Sequence, residues 1–138
     1  NISDWQYSLN LDDLVAKDKL ELQLPDNLGV LCISAKLENS NADEHWQAAI
    51  KRPNINQVVT VRFAHENPKC LPQYRQHSRA LKKVLQELTI PPWQRKRLPF
   101  IFYDNELIAV VGHFVCKPFL VDNNDQALFI SCNSESSF

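Results

Sequence analysis

Glycine and methionine are scarce in this chain of 138 residues: it has two glycines, Gly29 and Gly112, and no methionine. Two glycines cannot build a glycine-rich phosphate loop, and neither GxxxxGK[ST] nor GxSxG occurs. Nucleotide hydrolysis by a P-loop and hydrolysis by a nucleophile elbow are therefore not expected. With Asn1 first and no initiator methionine, the chain is expected to be a piece of a longer protein. No apolar run approaches the roughly 20 residues that span a bilayer, and no basic-then-apolar leader opens the sequence, so no membrane partner is expected. The four cysteines, Cys32, Cys70, Cys116 and Cys132, form no CxxC pair. Three of them lie in apolar, strand-like runs as small hydrophobes, which fits a reducing cytoplasm better than a disulfide framework.

What is present describes an ordinary globular domain, with 44% hydrophobic and 22% charged residues. Charge is spread unevenly. Between Lys69 and Arg97 lie Lys69, Arg75, Arg79, Lys82, Lys83, Arg95, Lys96 and Arg97, against the single acid Glu87. That segment carries +7 and leaves −8 for the rest of a chain whose total is −1. A concentrated basic patch on an acidic body is an electrostatic footprint for an anionic partner.

Periodicity supplies the elements. Residues 1–18 are mixed and acidic and read as a linker or a short helix. Lys19 to Leu24 alternates, with Leu20, Leu22 and Leu24 on one face, which predicts a half-buried strand. Pro25-Asp26-Asn27 with Gly29 is turn chemistry, and Val30 to Ala35 completes a hairpin. Residues 36–47, around Asn39-Ser40-Asn41, read as a loop. Gln57 to Phe63 is β-branched and alternating, a third strand. Pro68 and Pro72 exclude regular helix from 64–77.

Ser78 is placed to cap a helix running to Leu88, with Leu81, Val84, Leu85 and Leu88 as its apolar stripe. Pro91-Pro92 stops it. Residues 99–103, 107–111 and 113–116 are short strands, with a tight turn at Asp104-Asn105 and a bulge or bend at Gly112. Leu128 to Cys132 is the last strand, and the serine-rich tail is expected to be loose. Many short strands, one clear helix and no βαβ alternation predict an α+β domain with mostly antiparallel pairing.

Two constellations can carry chemistry. Arg79, Lys82 and Lys83 lie opposite the apolar stripe of the predicted helix, a row with a spacing of about 5–6 Å that suits the phosphates of a nucleic-acid strand. The competing reading is a solvated helix face. In Pro91-Pro92-Trp93-Gln94-Arg95-Lys96-Arg97, three cations follow a stiff corner beside the helix C-terminus. Trp93 can stack on a base or a ribose, but beside Pro-Pro a packing anchor is the preferred role. For metals, His113 and Cys116 form an HxxC, and His65, Cys70 and His77 share a segment, but neither set supplies the four ligands of a structural zinc site. The acidic pairs Asp12-Asp13 and Asp43-Glu44 read as solvated, so no active site is expected within the chain.

The run from Ser78 to Pro99, SRALKKVLQELTIPPWQRKRLP, resembles the C-terminal domain of the tRNA(Ile)-lysidine synthase family. That family carries SR-x-LKK-x-x-QELG-x-PPW-x-R-x-R-x-P there, followed by two apolar strands like Phe100–Tyr103 and Glu106–Val110 and a G-x-F-V like Gly112–Val115. Leu24–Gly29 is similar to its LPDGLG turn, and Arg52-Pro53 and Val59–Phe63 to its R-P and VTVRF elements. The resemblance covers about residues 20–116. It departs at Tyr74 and His77, where the family has glycines, and at Thr89, which replaces the glycine after QEL.

The resemblance implies an α+β fold of short, mostly antiparallel strands in a sandwich-like arrangement, similar to a domain of the phenylalanyl-tRNA synthetase β chain. Residues 1–18 would be linker and 19–138 the C-terminal tRNA-binding domain. It implies part of an ATP-dependent ligase that joins lysine to the wobble cytidine of tRNA(Ile) with a CAU anticodon. ATP and Mg would belong to an N-terminal catalytic domain, with no cofactor and no catalytic residue in this segment. The tRNA body, at the acceptor stem, would be gripped by Arg75, Arg79, Lys82, Lys83, Arg95, Lys96 and Arg97. Gln86, Gln94 and Arg75 are the candidates for reading base edges in a shallow RNA groove. The alternative is a protein-interaction or homodimerisation module using a strand edge, with the basic patch merely solvated.

Overall fold

A computed structural model describes residues 1–37, 46–122 and 126–133. Among these the chain runs β1 (Gln6–Leu9), α1 (Leu11–Lys17), β2 (Lys19–Gln23), β3 (Val30–Ser34), β4 (Trp46–Lys51), β5 (Val59–Arg62), β6 (Lys69–Cys70), β7 (Arg79–Ala80), α2 (Leu81–Glu87), α3 (Pro92–Arg95), β8 (Phe100–Tyr103), β9 (Glu106–Val110), β10 (Phe114–Val115) and β11 (Ala127–Asn133). Short 3₁₀ turns lie at Ile2–Asp4 and Lys117–Phe119. All described pairings are antiparallel, as the sequence predicts.

Three layers result. One sheet has the order β2-β3-β11-β4, the second β1-β5-β8-β9-β10. Their facing sides enclose a core that includes Leu22, Leu31, Ile33, Ile50, Val59, Val61, Ile101, Tyr103, Leu128 and Ile130. The other side of the five-stranded sheet presents Phe100, Phe102, Val110 and Phe114 to Leu81, Val84 and Leu85 of α2. The five-stranded sheet is thus buried on both faces. This explains why Phe-Ile-Phe-Tyr in β8 is apolar throughout instead of alternating: all four residues are buried, two toward each layer. In β2, which borders solvent, only the leucines turn inward.

Polar ties join the layers. Tyr103 donates its hydroxyl to the Lys51 carbonyl at 2.5 Å, crossing between the sheets. Burial pushes its phenol well above the ordinary tyrosine range, so it stays a donor. Arg52 donates to the carbonyls of Ala127 at 3.1 Å and Ala35 at 3.2 Å, and to the Gln126 side chain, pinning three strand ends together.

The structure departs from expectation in four places. Residues 6–9 are not linker: β1 pairs with β5 and buries Leu9. The short helix α1 follows, capped by the Asn10 side chain on the Asp13 N–H at 2.8 Å. Asp12 and Asp13 therefore occupy the first turn of a helix, where negative charge is favourable. Trp46 and Gln47, expected in a loop, begin β4. Helix α2 starts at Leu81, so Ser78 does not cap it. Its cap comes instead from Asn67, whose Oδ1 accepts the Lys82 N–H at 2.8 Å, beside a Leu81 N–H bond to the Pro68 carbonyl. Asn39-Ser40-Asn41, Asp43-Glu44 and the serine-rich tail lie outside the described residues.

α2 ends in a Schellman motif: Ile90 N–H bonds the Leu85 carbonyl and Thr89 N–H the Gln86 carbonyl. Thr89 takes φ 58°, a left-handed value unfavourable to a β-branched residue and natural to glycine. Thr89→Gly should raise stability by about 1 kcal/mol in denaturant unfolding, and Tyr103→Phe should lower it by about 1–2 kcal/mol with the fold unchanged.

Candidate nucleic-acid interface

The seven cations singled out in the sequence all lie on the α2–α3 side of the domain or beside it, but the structure gives them different work. Arg75 and Arg79 both bond the Glu87 carboxylate, one guanidinium on each oxygen. Arg79 stands on β7, paired with β6, and not on the helix, so the expected row Arg79-Lys82-Lys83 is not a helical row. Arg95 donates from Nε to the Ile90 carbonyl at 2.6 Å and closes the corner between α2 and α3. Arg97 reaches the outer sheet's hairpin turn, donating to the Asp26 carbonyl at 3.3 Å and lying 3.6 Å from its carboxylate.

Lys82, Lys83 and Lys96 differ. They are exposed and make no side-chain ion pair among the described residues. Lys82 and Lys83 occupy the first turn of α2, which has no acid and where the helix favours negative charge. Their placement is not explained by helix stability. Trp93, expected as an anchor, is instead 75% exposed. Its indole stands on α3 between the two lysine groups in sequence, available for stacking. Gln86 is exposed and Gln94 half-buried.

Tyr74, at a position where the family pattern has glycine, is also exposed and meets Phe114 edge-on with ring centroids 6.3 Å apart. Lys117 donates to the Arg75 carbonyl and holds the Arg75 loop from below. Tyr74, Asn67 and Lys117 were not found by sequence reasoning, because their roles arise from contacts across 15 residues or more or from exposure alone. Among the described residues no three His, Cys, Asp or Glu side chains gather as a metal site. His113 and Cys116 belong to the β10 region, where Cys116 is buried; no disulfide joins the four cysteines. Among the same residues no helix is long and apolar enough to cross a membrane.

Fold and surface together define a two-sheet α+β domain with a basic, helix-bearing layer. Comparison with known proteins agrees. A family model described as the TilS substrate C-terminal domain matches residues 59–132, and the chain belongs to that family. It is 40% identical over 117 residues to a tRNA(Ile)-lysidine synthase of Serratia proteamaculans, covering 85% of this chain and 23% of that protein. It is 36% identical over 111 residues to one of Photobacterium profundum, covering 80% and 23%. The chain thus spans about a quarter of the length of these curated relatives. A crystal structure of a TilS C-terminal domain superposes with a TM-score of 0.64 at 15% identity, covering 96% of this chain and all of that one, which shows the shared fold.

The Glu87 clamp has a pH signature. The Arg79 guanidinium, and then Arg75, hold the Glu87 carboxyl below its ordinary value of 4.5. A depressed carboxyl pKa stabilises the folded state fully above that value, and the contribution is lost as the pH falls below it. Glu87→Gln should flatten this acid limb, read as thermal midpoints between about pH 3 and pH 7. An unchanged limb means that the exposed clamp adds no net stability.

Proposed function

We propose that this domain is the RNA-gripping part of a tRNA(Ile)-lysidine synthase, and that its basic layer binds the body of tRNA(Ile) at the acceptor stem. The carrying observation is the set of exposed cations Lys82, Lys83 and Lys96, without an ion-pair partner among the described residues, on the segment that also carries the exposed indole of Trp93. Lysines without internal partners meet backbone phosphates at little cost in broken contacts, and an exposed indole stacks on a base or ribose edge. Arg75, Arg79, Arg95 and Arg97 support the surface: they fix the loops that carry the free cations and add positive potential around them. Phosphate contacts orient an RNA without reading its sequence, so the domain positions the tRNA while another part of the protein does chemistry.

In the whole enzyme that chemistry is the ATP-dependent joining of lysine to the wobble cytidine of a CAU anticodon, with ATP and Mg held by an N-terminal catalytic domain. The setting is the cytoplasm. This reading is supported by the family match and by the names of the relatives, which are all synthases of this kind.

Binding of the purified chain to tRNA(Ile) and to an unrelated tRNA, at several salt concentrations, tests it. Replacing Lys82, Lys83 and Lys96 by alanine should lower the salt slope by about 2–3 and weaken binding to both tRNAs similarly. Trp93→Ala should cost about 1–3 kcal/mol of affinity if the indole stacks on the RNA. Wild-type protein that binds no tRNA, or a triple variant that binds equally well, rejects the reading; concentration-dependent self-association in its place points to an interaction module.

A further inference from the structure

A cleft of about 410 Å³ opens where the N-terminal segment meets β5 and the loop that follows it. Its walls include Trp5, Arg62, His65, Glu66, Phe102 and Asn105. The size falls within the roughly 300–1,000 Å³ of small-ligand clefts. None of these residues belongs to the basic segment between Lys69 and Arg97.

Three features of the cleft are unusual. The Arg62 guanidinium carbon lies over the Phe102 ring, 3.7 Å from its centroid, and its Nε is buried without a hydrogen-bond partner. No ion pair within the described residues involves Arg62. A guanidinium fixed on an aromatic face but not paired is unfavourable in the free protein and ready for an external acceptor. Beside it, His65 is oriented by two contacts: its Nδ1 accepts the Asn67 N–H at 2.9 Å, and its ring meets Phe100 edge-on at 5.2 Å. With Nδ1 occupied as an acceptor, the neutral ring carries its proton on Nε2, which is a donor. Asn67 in turn accepts the Lys82 N–H, so the cleft's loop and the start of α2 are one hydrogen-bonded unit.

We infer that this cleft is a phosphate subsite of the RNA-binding surface, in which the Arg62 guanidinium and the His65 Nε2–H donate to one RNA phosphate and Lys82 adds charge at the rim. The inference rests on the RNA reading above and extends its footprint beyond the α2–α3 layer, across Lys82, to the edge of the central sheet. The charged groups around His65 agree with it. Burial first, then the charges of Lys82 and Arg62, lower the His65 pKa, while Glu66 is the acid that acts on Arg62. The local field is that of two cations and a neutral imidazole against one exposed carboxylate, and it favours an incoming anion. A terminal phosphomonoester and an internal phosphodiester offer the same acceptor oxygens.

The test uses the whole 138-residue chain. Binding of short RNA duplexes with a 5′-phosphate or a 5′-hydroxyl is compared among wild type, Arg62→Met, and the Lys82, Lys83 and Lys96 alanine variant. Arg62→Met keeps the apolar cover on Phe102. Arg62→Met should weaken binding about tenfold, the size of a charge-assisted contact. Loss confined to the 5′-phosphorylated duplex assigns the cleft to a terminal phosphate; equal loss on both assigns it to an internal one. Wild-type chain should also show Arg62 Nε–H and His65 ring resonances that move with millimolar inorganic phosphate but not with chloride, a readout independent of the variant's folding. If Arg62→Met binds both duplexes like wild type and phosphate leaves those resonances in place, the subsite is refuted. In that case loss of binding by the lysine variant alone leaves the RNA reading standing, and absence of RNA binding by wild type overturns both.

Discussion

Burial of one sheet on both faces is the constraint from which the rest of this domain follows. A five-stranded sheet whose central strand reads Phe-Ile-Phe-Tyr cannot border water on either side. One face is covered by the four-stranded sheet and the other by α2 and the segment ending at Leu98. The second requirement fixes α2 in place although it has only seven residues, too few for a stable helix on its own. Its apolar side is consumed by packing, so Lys82 and Lys83 must face outward. The basic surface is in this sense a by-product of the need to cover phenylalanines.

The basic layer separates into two populations. Arginines are used where a planar fork can hold a carboxylate or a carbonyl: Arg75 and Arg79 on Glu87, Arg95 on Ile90, Arg97 on Asp26. Lys82, Lys83 and Lys96 have no ion-pair partner among the described residues. A count of basic residues treats the two alike, although the arginines contribute mainly shape and the lysines mainly attraction. Removal of an arginine disturbs a loop, whereas removal of a lysine changes the field and little else.

Much of the fold was legible because it is local. Leu20-Leu22-Leu24 alternates, Pro25-Asp26-Asn27 turns, and Leu81, Val84 and Leu85 fall on one stripe; each feature depends on neighbours in sequence. What could not be read is non-local. Residues 6–9 bury only Leu9 and show no alternation, and their strand exists because β5 offers an open edge. Ser78 had the chemistry of a cap, but Arg79 and Ala80 are held extended by Lys69 and Cys70, and the helix start falls to Asn67 from a distant loop. Trp93 looked like an anchor because large aromatics are usually buried; the corner between α2 and α3 is closed by Arg95 instead. Of the candidate surface, the clustering of cations was visible and their division of labour was not, since sequence carries no record of which cation has already found a partner. Arg62 lay within a strand motif that read as structural, and His65 drew attention only as one of three residues too few for a zinc site.

The contact of Arg97 with Asp26 carries a consequence for how the surface meets its ligand. It ties the basic layer, at the domain surface, to the hairpin turn of the four-stranded sheet. The layer is seated on the central sheet by the buried packing of α2, and this contact adds a second tie at its rim. On the proposed RNA reading, a surface already shaped in the free domain loses little ordering entropy on binding, and encounter is governed by long-range attraction. On that reading any adjustment of shape would fall to the RNA, and duplexes whose backbones cannot follow the relief would be turned away by their own stiffness.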